Sequence, residues 1–74
     1  PATHFLQLSW TKELPLDAII ELYDLSGKKV LAEFPDRGTY QERLDISSLK
    51  EGIYIIRING NGLLKTQQIL VTEN

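Results

Sequence analysis

The chain contains no cysteine. That excludes disulfide scaffolds and thiolate metal sites, although an exported domain can fold without disulfides, so the compartment stays open. Histidine occurs once, at His4. No apolar run approaches the ~20 residues that a membrane-crossing helix needs. No basic stretch followed by an apolar one opens the sequence at Pro1, so no secretory leader is visible. Lys and Arg nowhere cluster beyond Lys28-Lys29. Nucleic acid and anionic membrane surfaces both call for a basic patch, and neither is expected as a partner.

What is present suits one small folding unit. Seventy-four residues, 42% of them hydrophobic, suffice for one core and not for two. Residues 1–74 therefore read as a single domain, with no linker, repeat or low-complexity segment. Ten acidic and eight basic residues, spread along the chain, leave a net charge of −2.

Period-two alternation dominates, and no window carries a helical stripe. In "THFLQLSW" Leu6, Leu8 and Trp10 share one face. "ELPLD" interrupts, because Pro15 has no N–H for a ladder. "AIIELYD" puts Ala18, Ile20 and Leu22 on one side and Ile19, Glu21 and Tyr23 on the other. "DLSG" then turns the chain: Asp24 can accept from backbone amides just ahead of it, and Gly27 tolerates a left-handed conformation. "KKVLAEF" returns with Val30, Ala32 and Phe34 in phase, and "PDRGT" is a loop. "YQERLDI" places Tyr40, Glu42, Leu44 and Ile46 together, with Glu42 expected near the rim. "GIYIIRI" is a further strand. "NGNG", including Asn59-Gly60, forms a hairpin because Asn-Gly fits two positive φ angles. "LLKTQQILV" closes the pattern with Leu63, Ile69 and Val71 in phase. Six to seven short strands joined by turns predict an all-β fold, a small antiparallel Ig-like β-sandwich.

"LKEGIY" resembles a tyrosine corner, with Leu49, Gly52 and Tyr54 as its marks. The phenol of Tyr54 would pack on the core while its hydroxyl bonds to backbone a few residues upstream. The alternative is a core aromatic whose hydroxyl reaches the surface.

No catalytic constellation is written in the sequence. His4 lies near one end, and Ser26, Ser47 and Ser48 fall in turns or corners where hydroxyls cap amides. Asp24, Glu33, Glu42, Asp45 and Glu51 could pair as glycosidase carboxylates, but turn and outward strand positions account for them. No D-x-[DN]-x-[DN]-G loop offers calcium a site. Gly60 and Gly62 belong to a hairpin that no helix follows, so they cradle no phosphate. The chain is read as not an enzyme, with no metal and no cofactor. The aromatics Phe5, Trp10, Tyr23, Phe34, Tyr40 and Tyr54 mostly fall in phase with aliphatic residues and should be core. Trp10 and Tyr23 are the rings expected to be exposed and able to stack on a sugar.

Three stretches, in order, carry a family likeness: "IELYDLSGKKVL" (Ile20 to Leu31), "LDISSLKEGIYIIRI" (Leu44 to Ile58) and "GLLKTQQILV" (Gly62 to Val71). Together they resemble the C-terminal sorting domain of the type IX secretion system, type A, of the Bacteroidetes. Pro1-Ala2 is similar to the end of that family's opening N-P-A. One departure is plain: Gln67-Gln68 stands where the family often has lysines, with Lys65 earlier.

The resemblance implies a passenger label. Cargo lying N-terminal to such a domain reaches the periplasm by its own signal. The outer-membrane translocon then recognises the domain and delivers the cargo to the cell surface or beyond. In most members a sortase-like peptidase removes the domain there; others keep it. A closing strand at a sheet edge offers unpaired backbone groups to a partner. Lys65, Gln67, Gln68, Ile69, Leu70 and Val71 are the residues expected to be read, with Lys65, Gln67 and Gln68 alternating outward. Self-association through edge strands stays open. The alternatives are an Ig-like or fibronectin-like spacer, and a carbohydrate-binding accessory module using Trp10 and Tyr23.

Overall fold

The computed structural model describes residues 4–36 and 38–72, and the Pro1-Ala2 match lies outside them. Six strands form: β1 (Phe5–Ser9), β2 (Ile19–Asp24), β3 (Lys29–Glu33), β4 (Gln41–Asp45), β5 (Gly52–Gly60) and β6 (Leu63–Val71). They make two antiparallel sheets, β1-β4 and β3-β2-β5-β6. The chain passes between layers at β1→β2, β3→β4 and β4→β5, so neither sheet is complete without distant residues.

The core lies between the layers. Ile20 and Leu22 of β2 are fully buried, as is Leu44 of β4. Ile46, Tyr54, Ile56 and Val71 complete the cluster, with Leu6, Leu8 and Trp10 packed against it from β1. Each fully buried Leu or Ile contributes about 1.5–3 kcal/mol relative to exposure. Ala18, Ile20 and Leu22 thus occupy the face that the alternation predicts, and so do Leu44 and Ile46. Glu42 is half-buried opposite Leu8, one pair from the ladder's end.

β3 departs from its expected phase. The register slips between Leu22 and Tyr23, so Leu31 faces Leu22 while Ala32 faces Glu21. A one-residue slip sends each following side chain to the opposite sheet face. Ala32 is exposed, and Phe34, expected to share a core face with Val30 and Ala32, ends 70% exposed beyond the strand. Val30 and Leu31 supply the apolar contact instead.

β5 is the keystone of the larger sheet. Its β-branched run Ile53, Ile55, Ile56 and Ile58 suits the pleat. It is paired on both sides, to β2 from Ile19↔Asn59 to Asp24↔Tyr54 and to β6 from Gly60↔Leu63 to Gly52↔Val71.

Candidate recognition strand and the corner behind it

Between β4 and β5 the chain changes layer, and a chain of local bonds fixes the bend. Asp45 Oδ1 accepts from the Ser47 amide at 2.9 Å and from the Ser47 hydroxyl. The Leu49 amide donates to the Ile46 carbonyl at 3.0 Å. Ser47 Oγ in turn accepts from the His4 amide at 3.1 Å, and the Ile46 amide donates to the His4 carbonyl, which ties the corner to the start of β1. Tyr54 closes the arrangement: its hydroxyl donates to the Lys50 carbonyl at 2.7 Å while the residue stays 8% exposed. This is the tyrosine corner, as the Leu49–Gly52–Tyr54 spacing suggests. Gly52, at φ +156°, starts β5 in a conformation that side-chain-bearing residues rarely adopt.

The β2–β3 turn uses the same device. Asp24 Oδ1 accepts from the Ser26 amide, the Ser26 hydroxyl and the Lys28 amide, at 2.9, 2.6 and 3.0 Å. Gly27 takes φ +90° beside them. The Ser26 hydroxyl bond, then the Lys28 amide, holds the Asp24 carboxyl below its ordinary value. At Asp45 the Ser47 hydroxyl and then its amide do the same.

The β5–β6 turn falls one pair later than Asn59-Gly60. Asn61 and Gly62 carry the two positive φ angles, +41° and +86°, between the paired residues Gly60 and Leu63. Asn59 and Gly60 end β5 instead. Gly60 is needed for another reason: a Cβ there would lie 2.7 Å from Ala18 Cα and 2.9 Å from Ala18 N. Sequence reasoning had no signal for that approach, since β2 and the end of β5 are far apart in the chain.

β6 lies at the edge of the four-stranded sheet, as expected of the closing strand. Lys65, Gln67 and Gln68 are all exposed. They do not form one row, however. Lys65 and Gln67 share the face of Ile69 and Val71, whereas Gln68 shares the opposite face with Leu64, Thr66 and Leu70. Leu70 is 67% exposed across from Ile53, Ile69 is half-buried, and Val71 is sunk in the core. Leu63 is described by its backbone alone.

The ring assignments change as well. Trp10, expected at the surface, packs against the core and its indole N–H donates to the Thr39 carbonyl at 2.9 Å. Phe5, Phe34 and Tyr40, expected inside, are each at least half exposed. Phe5 sits with Gln7 and Ser9 on the outer face of β1, its ring centre 4.9 Å from the Arg43 guanidinium carbon, and Phe34 and Tyr40 lie just outside β3 and β4. Tyr23 is half-buried, with the Arg57 guanidinium 6.0 Å from its ring centre. Beside it, Glu21 is buried and paired to Lys29 at 3.2 Å. Among the described residues no three His, Asp or Glu side chains gather in one place.

A family model described as "Secretion system C-terminal sorting domain" matches residues 1–72. No curated protein and no solved structure matches the chain.

Proposed function

This chain belongs to the family of secretion system C-terminal sorting domains, and from that premise we propose how it works. It is a C-terminal sorting signal for type IX secretion, and its family is not a catalytic one. In our reading residues 1–74 act as one unit of the type A, Bacteroidetes branch, carried behind a cargo domain and without activity of their own. The cargo passes from the periplasm across the outer membrane when the translocon docks on β6. A sortase-like peptidase then acts at the surface. The exposed side chains of Lys65, Gln67 and Gln68 lend specificity, and the corner around Tyr54 keeps β5, and through it β6, in register.

One observation carries this reading: a nine-residue strand paired along its length with β5 and, among the described residues, with no strand on its other edge. Unpaired backbone at an edge is the usual substrate for strand addition. The sugar-binding alternative loses Trp10, which is turned inward, and the family match favours a sorting domain over a spacer.

The test places the chain behind a signal peptide and a fluorescent reporter in a host with the secretion system. The reporter should leave the cell, and a Lys65→Ala, Gln67→Ala, Gln68→Ala triple variant should slow its export without unfolding the domain. A reporter left in the periplasm by the unaltered chain would refute the label; normal export of the triple variant would refute the side-chain role. Deleting Leu70 to Asn74 should also block export, but it removes Val71 from the core. The substitutions are therefore the cleaner comparison.

A further inference from the structure

The two edges of the four-stranded sheet are finished differently. β3 spans five residues, carries the extra residue of its ladder at Val30, bears Lys29 and Glu33, and is flanked by Lys28 and Pro35. Shortness, irregularity, charge and proline are the means by which sheets protect an edge from unwanted pairing. β6 has none of these except Lys65. It runs nine residues in unbroken register with β5.

Two arguments establish which β6 backbone groups are free. The Asp24 amide donates to the Lys28 carbonyl at 2.9 Å, so Asp24, and by alternation Leu22 and Ile20, bond toward β3. Ile19, Glu21 and Tyr23 then bond toward β5 through Asn59, Arg57 and Ile55. The alternate β5 residues, from Gly60 to Gly52, are left for Leu63, Lys65, Gln67, Ile69 and Val71. The turn gives the same answer independently. Two positive φ angles at Asn61 and Gly62 make the flanking Gly60 and Leu63 a hydrogen-bonded pair. The N–H and C=O groups of Leu64, Thr66, Gln68 and Leu70 therefore point out of the sheet.

We infer that the receptor of this sorting signal reads the main chain of β6, adding an extended strand along Leu64, Thr66, Gln68 and Leu70. This rests on the sorting-signal reading above. The side chains of those four residues lie on the face away from the core, with Leu64 and Leu70 58% and 67% exposed. The incoming strand finds an apolar anchor at each end and polar Thr66 and Gln68 between them. The occupant that fits is an extended segment of the receptor, apolar at its ends and polar in its middle. Lys65 and Gln67 send their backbone bonds to β5 and contribute only side chains.

The experiment exploits this alternation in the cargo-bearing protein. Gln68→Pro removes an outward donor and no bond within the sheet, a place where an edge strand tolerates proline. It should keep the fold and abolish export, while Gln68→Ala exports more than Gln68→Pro. Gln67→Pro breaks a bond to β5 and should unfold the domain. If Gln68→Pro is folded and exported like the parent, the inference fails, whereas failure of the parent itself would sink the sorting reading instead. Hydrogen exchange on the unaltered chain supplies a measurement independent of folding in the variants. The Thr66, Gln68 and Leu70 amides should exchange rapidly while those of Lys65, Gln67 and Ile69 are protected. The reverse pattern, or a dimer in solution that protects the outward amides, would overturn the inference.

Discussion

Replacing Gly60 with alanine tests the packing of the two-sheet frame at its tightest point. The added methyl would stand 2.7 Å from Ala18 Cα, 2.9 Å from Ala18 N and 3.2 Å from the Asp17 carbonyl carbon. Ordinary carbon contacts begin at about 3.5 Å, so the backbones must part by roughly 0.8 Å. The obstacle is main chain and cannot rotate away. Ala18 is also held by its amide, which donates to the Pro15 carbonyl at 3.0 Å. Overpacking of this kind costs about 1–3 kcal/mol. Gly60 does not have a positive φ, so alanine also restricts the unfolded chain and returns about 0.4–1 kcal/mol. The net loss is about 1–2 kcal/mol, which for a domain of this size lowers Tm by roughly 5–15 °C. Calorimetry with urea unfolding followed by circular dichroism would read it, with an unchanged m-value. Gly62→Ala is the contrast: nothing lies within 4 Å, but φ is +86°. It should cost about 1 kcal/mol through the left-handed conformation alone, and Gly62→Asn should recover part of that loss. At Gly60 asparagine should recover nothing. An unchanged or raised Tm in Gly60→Ala would refute the close-approach argument.

Tyr54→Phe should cost about 1 kcal/mol, since it leaves the Lys50 carbonyl without its donor; an unaltered unfolding midpoint would show that the corner bond contributes nothing. Gly52→Val should destabilise more than Gly52→Ala, because a β-branched residue fits φ +156° poorly; equal melting of the two would argue that backbone conformation is not the cause. The Asp24 and Asp45 carboxyls are held below the ordinary value near 3.8. Their contribution is therefore complete above that value and is lost as pH falls through the lower folded-state values. Asp24→Asn with Asp45→Asn should flatten the acid side of the stability profile below about pH 4, the ordinary carboxylate range, and a parallel profile would count against it.

Much of the fold was legible because burial is one-sided: Ile20, Leu22, Leu44 and Ile46 alternate with polar neighbours and face the core as read. Asp24, Gly27, Gly52 and Tyr54 were legible because turn chemistry is local. What failed depended on the partner strand. The slip at Leu22/Tyr23 turned Ala32 away from the core, and Tyr40, in phase with Leu44, fell just outside β4. In "NGNG" either pair satisfies the turn, and Ala18 against Gly60 decides between them. β6 was legible as an edge strand, but the alternation of its polar residues was misplaced. Lys65 and Gln67 against Gln68 follows from pairing with β5, which side-chain polarity does not report.

Among the described residues β6 has one strand neighbour, β5, and β5 is paired on its other side with β2. On the reading proposed above, the address is consequently incomplete in a nascent, clipped or misfolded tail. On that reading a cargo presents it only once residues from both halves of the domain have come together, so that spelling the label and checking its folding become one and the same event.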